Sequence, residues 1–174
     1  MLVGNNIKQL EHVRYLANQA KDEQVAGLHS EMGFNFRMTN IEAALGLAQM
    51  ERIDGFLLKK KTSEKIYRKI LGNLPGVSFQ QSYAGAVSSG WLTCIKVDGD
   101  KDIGGLMETL GNKNVPTRRV FMPVHEMPYL KQYAKACPNA SEIYDRGLCL
   151  PSSCLNEDQG IEETAVVIKE VLNG

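Results

Sequence analysis

A glycine-led polar loop that runs directly into a helix limits the possible folds of this chain more than any other stretch. The loop covers residues 33–40, GFNFRMTN, and places one amide and one guanidinium between aromatic side chains. Thr39 is a good helix N-cap, and Glu42 three residues later completes a capping box. The pattern therefore predicts a rigid loop followed by a helix over residues 40–52. Gly46 inside that helix costs stability relative to alanine, which indicates close packing against a neighbour.

The loop offers two candidate binding residues, Asn35 and Arg37. An amide and a guanidinium that are fixed near a backbone turn can donate hydrogen bonds to a phosphate or another oxyanion. The alternative is structural: Arg37 would pair with a nearby carboxylate, as often happens on protein surfaces, and Asn35 would cap a turn. The residues alone leave both interpretations open.

The composition indicates a globular chain without a strong net charge. Of its 174 residues 43% are hydrophobic, and 20 basic residues balance 20 acidic ones. No overall field favours nucleic acid or an anionic membrane as a partner. The dense basic cluster at residues 59–61 is typical of a solvated helix face. No stretch nears the roughly 20 apolar residues that span a bilayer, and residues 1–4 lack a signal-peptide pattern. We therefore expect a cytoplasmic protein.

The cysteines do not predict a metal centre. Cys94, Cys137, Cys149 and Cys154 form no C-x-x-C pair, so a zinc site is not expected. Cys94 falls in an alternating, strand-like run and is interpreted as a buried free thiol. The sequence also contains no Gly-x-Gly-x-x-Gly, Walker A or Gly-x-Ser-x-Gly pattern.

Apolar periodicity divides the chain into two parts at residues 52–55. In the first part we predict a strand at residues 1–3, a helix at 7–20 and a polar connector at 21–38. The helix after the loop follows them. The second part should be a small α+β lobe with an antiparallel sheet and helices on one face. Its predicted helices are 56–71, 102–110 and one capped by Asn156, and its predicted strands are 77–79, 91–97 and 115–121. Pro116 predicts an edge position for the last strand, and residues 149–153 are interpreted as a loop entry.

A second candidate segment, residues 116–125, carries two arginines on a strand and a histidine after a proline turn. Because side chains alternate along a strand, at most one of Arg118 and Arg119 can face a given pocket. His125 could serve as an acid, a base or an anion partner, since its pKa lies near neutrality. The competing interpretation is a turn histidine bonded to the backbone.

The remaining basic residues give weaker signals. No lysine lies in the apolar, Gly/Ser-flanked setting that is typical of a lysine that binds a carbonyl compound covalently. Lys96 is the nearest candidate, and we expect it to face water at a strand end. His12 and His29 show no partner pattern and are interpreted as incidental.

Four segments, in the right order, resemble the DegT/StrS-type sugar aminotransferases, which use pyridoxal phosphate (PLP). They are residues 1–3 followed by a helix with Arg14-Tyr15-Leu16, residues 33–54, residues 116–125, and residues 148–153 followed by a terminal helix. The resemblance implies a fold-type-I homodimer that aminates a keto group on a nucleotide-linked sugar, with glutamate as the usual donor.

The resemblance also implies roles for individual residues. Asn35 would reach the PLP phosphate in the active site of the other subunit, with Arg37 beside it. Arg118 and His125 would lie on the sugar-nucleotide side of the pocket. The family's lysine that binds PLP, its aspartate at the pyridine nitrogen and its own-subunit phosphate loop would lie upstream of residue 1.

The chain is therefore expected to be the C-terminal half of such an enzyme, with an α/β to α+β fold. Residues 1–52 would be the tail of the large PLP-binding domain, and residues 53–174 the whole small domain. Two functions remain open. The chain could be a truncated aminotransferase portion that contains no catalytic residue and holds no covalent PLP alone. Alternatively, it could be a non-catalytic fragment or pseudoenzyme module that associates with itself or with a missing half.

Overall fold

The chain divides into two compact units, bounded as Met1–Arg52 and Ile53–Gly174. A computed structural model describes residues 2–25, 27–99 and 101–174. Within the described residues, no helix is both long and apolar enough to cross a membrane.

Unit 1 contains two helices and extended connecting chain. Helix α1 spans Ile7–Ala17 and begins after Asn6, whose side chain accepts a hydrogen bond from the Gln9 backbone N–H. Helix α2 spans Asn40–Met50 and begins with the expected capping box. Leu2 and Val3 are not in a strand, which corrects the expectation for residues 1–3, and Met1 lies outside the described residues. Both predicted helices are confirmed, although each ends two or three residues early.

Unit 2 contains a four-stranded sheet with flanking helices. Its elements are α3 (Ile53–Leu71), β1 (Val77–Phe79), β2 (Thr93–Val97), α4 (Ile103–Asn112), β3 (Arg118–Arg119), two 3-10 turns (Val124–Glu126 and Pro128–Tyr133), α5 (Pro138–Arg146), β4 (Gly147–Leu150) and α6 (Asp158–Asn173). The strand order is β1-β2-β4-β3. All three strand pairs are antiparallel, which confirms the predicted antiparallel sheet.

The core of unit 2 lies between one face of the sheet and helices α3, α4 and α6. Ile95 on β2 faces Leu148 on β4, and both are fully buried. Tyr67 of α3 packs into the same core and donates its hydroxyl to the Pro151 carbonyl at 2.7 Å. Burial raises the pKa of this phenol, so the hydroxyl stays protonated and remains a donor.

The opposite face of the sheet carries α5, which corrects the expectation of helices on one face only. Alternation along β2 places Lys96 away from Ile95. The Lys96 ammonium lies 3.1 Å from Glu142 of α5 and 3.2 Å from Asp98. Lys96 is therefore ion-paired rather than simply solvated as we expected.

Strand β4 is the main element that the sequence analysis missed. All four of its residues are buried, and it pairs with β2 on one side and β3 on the other. A strand that is covered on both faces shows no alternation of polar and apolar residues. The short run before Pro151 therefore resembled a loop entry.

Two further boundaries differ from the expectation. The predicted strand over residues 115–121 forms only at Arg118–Arg119, where β3 pairs at the edge of the sheet. Pro116 lacks an N–H and cannot extend that ladder. The N-cap position of the last helix is Glu157 and not Asn156, and the Glu157 side chain makes no capping hydrogen bond within the described residues.

The basic cluster on α3 is anchored rather than freely solvated. Lys59 pairs with Asp158 of α6 at 2.6 Å. The Lys60 ammonium donates to the carbonyls of Trp91 at 2.8 Å and Ser152 at 2.5 Å. Helix α3 packs against α6. This basic face therefore contacts other parts of the polypeptide as well as solvent. Lys61 alone fits the expected solvated position.

Replacing Leu148 with alanine should lower the free energy of unfolding by about 2–5 kcal/mol, because it leaves a cavity in the central strand. Leu155→Ala is the matched control, since Leu155 is 91% exposed and should change stability by less than about 0.5 kcal/mol. Urea unfolding followed by circular dichroism measures both. Equal effects would contradict the central position of β4.

Candidate functional site

The loop that carries Asn35 is fastened to the C-terminal end of α1. The Phe34 N–H donates to the Leu16 carbonyl at 2.7 Å, and the Phe36 N–H donates to the Ala17 carbonyl at 3.0 Å. The last carbonyls of a helix have no partner within the helix. The loop supplies those partners, and α1 holds the backbone on both sides of Asn35.

A strained turn after α1 fits against the start of this loop. Gln19 and Ala20 have positive φ angles of 66° and 50°, a conformation that costs a residue with a Cβ roughly 1–2 kcal/mol. The Gln19 N–H donates to the Phe34 carbonyl at 3.0 Å, and Ala20 is completely buried. A Cβ at Gly33 would overlap the backbone of both turn residues. Glycine is therefore required at position 33 by close approach.

His29 contacts the same turn. Its Nδ1 lies 2.7 Å from the Gln19 carbonyl oxygen, so the neutral or charged ring can donate there. His12 lies 3.5 Å from Glu31. Both histidines therefore have partners in the fold, although the sequence shows no partner pattern for either. Their partners are at separations of ten and nineteen residues, which no local pattern indicates.

Asn35 is presented outward by this arrangement. It is exposed, and its side-chain amide makes no hydrogen bond to another described residue. The rings of Phe34 and Phe36 stack with centroids 5.0 Å apart. Because side chains alternate along extended chain, Asn35 points away from that aromatic pair. Its two donors and one acceptor are thus available to a ligand or to another polypeptide.

Arg37 is also available for binding. One of its terminal nitrogens lies 3.4 Å from Asn18 Oδ1, a long hydrogen bond that leaves the other donors unused. Within the described residues Arg37 forms no ion pair, unlike the structural alternative considered above. It lines an open cavity of about 650 Å³ together with cationic and anionic side chains, namely Arg14, Lys21, Glu11, Asp22 and Glu23.

Arg118 lies at one end of an exposed aromatic stack in unit 2. Its guanidinium is 5.2 Å from the centre of the Phe121 ring. Phe121 stacks in turn on Trp91 with centroids 5.9 Å apart, and both rings are more than 60% exposed. Arg119 instead lies over the Tyr144 ring. The two arginines therefore have separate environments, as alternation predicts.

His125 lies in a polar cluster at the first 3-10 turn. Its Nε2 is 3.3 Å from Ser141 Oγ and 3.7 Å from Glu126 Oε1. Ser141 also donates to Glu126 at 2.8 Å. These partners are side chains, so the expectation of a histidine bonded to the backbone does not describe it. Arg118 and His125 have different hydrogen-bond and ring partners, and no cavity described within unit 2 is lined by both.

The sequence analysis missed Trp91, Ser141 and Glu126. Trp91 is the only tryptophan in the chain, and an exposed tryptophan at a strand entrance is a signal that could have drawn attention to it. Ser141 meets His125 only because α5 returns over the sheet, so its role depends on tertiary structure.

The capping box of α2 fixes the far end of the loop. Glu42 accepts hydrogen bonds from the Thr39 N–H at 2.7 Å and the Thr39 hydroxyl at 2.9 Å. The Thr39 Oγ1 accepts in return from the Glu42 N–H at 3.2 Å. The backbone hydrogen bond from Thr39, and then the hydroxyl one, lower the pKa of Glu42. The loop is therefore fixed at both ends, by Gly33 and by Thr39.

Comparison with known proteins identifies the family. The DegT/DnrJ/EryC1/StrS aminotransferase family model matches residues 1–169. EpsN of Bacillus subtilis (strain 168), which bears the name of a pyridoxal phosphate-dependent aminotransferase, is 34% identical over 165 residues, or 91% of this chain and 42% of EpsN. GDP-perosamine synthase of Vibrio cholerae is 33% identical over 177 residues, or 99% of this chain and 48% of the synthase.

The fold agrees with this match. The crystal structure of the aminotransferase TlmJ from Streptoalloteichus hindustanus resembles this chain with a TM-score of 0.85 at 19% identity, over 97% of this chain and 46% of TlmJ. The chain belongs to the DegT/DnrJ/EryC1/StrS aminotransferase family, which confirms the resemblance found in the sequence. It spans about half the length of the curated relatives it matches.

Substituting Gly33 with alanine should release the loop, because the added methyl overlaps the backbone of the strained turn. Overpacking of this kind typically costs about 1–3 kcal/mol. Amide hydrogen exchange should then accelerate at Phe34 and Phe36, whose N–H groups bond to α1.

Gly46→Ala is the matched control for that experiment. A Cβ at Gly46 meets no described heavy atom within 4 Å outside its own helix backbone, so this chain itself does not provide the close packing predicted there. Alanine in the helix interior should stabilise α2 by up to about 1 kcal/mol and leave exchange in the loop unchanged. Equal acceleration in both variants would show that the close approach at Gly33 does not hold the loop.

The capping box should weaken in acid. Because the folded-state pKa of Glu42 lies below its ordinary value, its stabilising contribution is complete above that ordinary value and is lost as the pH falls through the folded pKa. Titration of the Glu42 carboxyl carbon by NMR should give a midpoint below the ordinary pKa of a glutamate side chain. Thr39→Ala should raise that midpoint. A midpoint that Thr39→Ala leaves in place would contradict this assignment.

Proposed function

We propose that this chain is a portion of a PLP-dependent aminotransferase that transfers an amino group, with glutamate as donor, to a keto sugar carried on a nucleotide. The observation that carries the proposal is the rigid loop with an outward, unpaired Asn35 amide and an almost unpaired Arg37. The name of a relative, GDP-perosamine synthase, supports a nucleotide-linked product.

The loop chemistry fits the phosphate group of PLP. A phosphate dianion needs several donors at fixed positions and a nearby positive charge. Asn35 can supply two N–H donors, and Arg37 can supply the charge and further donors. Neither side chain has to break a strong contact first, since the one hydrogen bond of Arg37 is 3.4 Å long. When bound, PLP supplies the electron sink at which the amino group is exchanged.

The Arg118 segment is proposed to meet the nucleotide-sugar. A guanidinium stacked on an exposed aromatic ring can pair with a diphosphate, and the neighbouring ring faces offer apolar surface for a sugar or a base. His125 would serve as a hydrogen-bond partner whose ring is oriented by Ser141 and Glu126. The two residues are proposed as separate contacts of one extended ligand.

This chain is not proposed to hold PLP covalently by itself. Lys96, the nearest candidate, forms hydrogen bonds with Glu142 and Asp98 that raise its pKa. A lysine that attacks a carbonyl carbon needs the opposite shift, toward the neutral amine. Lys60 is engaged by two backbone carbonyls. A lysine from another part of the complete enzyme is therefore proposed to do this work.

The two units are proposed to correspond to two domains of the complete enzyme. Residues 1–52 are proposed to belong to the large cofactor-binding domain, and residues 53–174 to be the small domain. Every residue of helix α2 is exposed, including the apolar residues Ile41, Leu45, Leu47 and Met50. This exposed apolar surface supports the proposal that another polypeptide covers the helix. The partner is proposed to be a second copy in a homodimer or a complementing half.

One alternative function has support from the same helix. A non-catalytic module that acts through self-association, or through pairing with a missing half, would also need the apolar face of α2. It would not need an outward amide and guanidinium on a doubly fixed loop. The cysteines are all free in the structure, as is usual in the cytoplasm, where either function is proposed to operate.

Asn35→Ala should weaken PLP binding in the assembled enzyme, in which the lysine-bearing polypeptide is present. Losing a hydrogen bond to a charged group costs about 1.5–3 kcal/mol, which corresponds to about ten- to a hundredfold in affinity. Affinity for pyridoxal, which lacks the phosphate, should not change. Equilibrium titration with both compounds separates the phosphate contact from a general loss of structure.

Asn73→Ala is the matched control, since it removes an exposed amide from a turn in unit 2 and should leave both affinities unchanged. If Asn35→Ala bound PLP as the unchanged protein does, Asn35 would be a structural turn residue. If it lost PLP and pyridoxal equally, the loop would support the site without contacting the phosphate.

A further inference from the structure

Two cysteines face each other across the central strand pair of unit 2. Cys94 on β2 is the register partner of Cys149 on β4. Their sulfur atoms are 3.5 Å apart, and both thiols are free. Neither thiol belongs to the candidate binding sites described above.

The backbone positions suit a disulfide. Directly opposite residues in antiparallel strands have Cα atoms about 4.5–5.5 Å apart, within the range of about 4.4–6.8 Å found in disulfides. The sulfur atoms already lie closer than the two α-carbons of such a pair. Side-chain rotation and a small backbone adjustment are enough to bring them to bonding distance.

Access to the two thiols is unequal. Cys94 lines two cavities in unit 2, of about 340 and 530 Å³. Cys149, beside it on β4, is only 4% exposed and lines neither cavity. An oxidant can therefore reach Cys94 before Cys149, and Cys149 is positioned to resolve the product.

We propose that Cys94 and Cys149 form a redox modification site that a low-molecular-weight disulfide, such as oxidised glutathione, converts into a cross-strand disulfide. In the first step the Cys94 thiolate attacks one sulfur, forms a mixed disulfide and releases one glutathione thiol. In the second step the Cys149 thiolate attacks Cys94 Sγ and releases the second glutathione thiol. The protein loses two electrons and two protons, and the disulfide reagent gains them.

The surroundings make this reaction slower than at an exposed cysteine. Burial, and then the hydrogen bond with Cys149, raise the pKa of Cys94 to about 12, while the positive charge of Arg118 opposes the rise. The thiolate is therefore a minor species at neutral pH. Exposed Cys137 should react first, but it has no thiol beside it to complete a disulfide.

Oxidation should be sensed at Arg118 and Trp91. Arg118 on β3 is the register partner of Cys149, so the three residues form one row across the sheet. Arg118 contacts Phe121, and Phe121 stacks on Trp91. A change in the β2–β4 spacing would pass along this row to the single tryptophan. The inference does not depend on the proposed function, since it uses only the thiols and their neighbours.

The test exposes the full chain to oxidised glutathione, followed by acid quenching, alkylation and peptide mapping. We expect a peptide linked through Cys94 and Cys149, without glutathione on either, and a change in Trp91 emission. In Cys149→Ala the mixed disulfide cannot be resolved, so glutathione should accumulate on Cys94 at least about tenfold above its level in the unchanged protein. In Cys94→Ala, Cys149 should stay reduced.

Two results would overturn the proposal. One is that Cys94 and Cys149 both stay reduced in the unchanged chain while Cys137 becomes glutathionylated. The other is that Cys94 retains glutathione even though Cys149 is present. Circular dichroism of each variant checks folding, and the mapping of the unchanged chain decides the question by itself if a variant does not fold.

Discussion

The close approach of Gly33 to the turn at Gln19 and Ala20 is the contact on which the candidate cofactor loop depends. It lets the loop backbone bond to the last carbonyls of α1, and those bonds hold the chain on both sides of Asn35. The same contact holds Gln19 and Ala20 in a disfavoured backbone conformation. Backbone strain of this type persists only where many surrounding contacts hold the residue in place, and it is found most often at functional sites. The loop can therefore present an unpaired amide without collapsing onto its own donors.

Unit 2 depends in a similar way on β4. Its buried residues join β2 to β3, and the face toward the helices completes the core. The other face sets Cys149 between Cys94 and Arg118. One short strand thus determines where the proposed substrate arginine lies and brings two thiols together. The two candidate sites, one in each unit, rest on separate physical supports.

The parts that could be predicted from the sequence are those with a local cause. The Thr39–Glu42 capping box, the α2 helix and the edge position near Pro116 all follow from neighbouring residues. Strand β4 could not be predicted, because burial on both faces removes the alternation that marks a strand. Ser141 lies 16 residues from His125, Cys149 lies 55 from Cys94, and the two carbonyls that bind Lys60 lie 31 and 92 residues away. Only the folded chain brings these partners together. The described residues place no neighbour within 4 Å of a Cβ at Gly46, so the close packing predicted there is not provided within this chain.

The central claim is that Asn35 donates to the phosphate of PLP. Selective nitrogen-15 labelling of asparagine would report the Asn35 side-chain amide directly by NMR in the assembled enzyme. On addition of PLP, the account predicts a downfield shift of the Asn35 amide protons and slower exchange with water, and pyridoxal should produce neither change. An Asn35 amide that stays unperturbed while PLP binds would contradict the account.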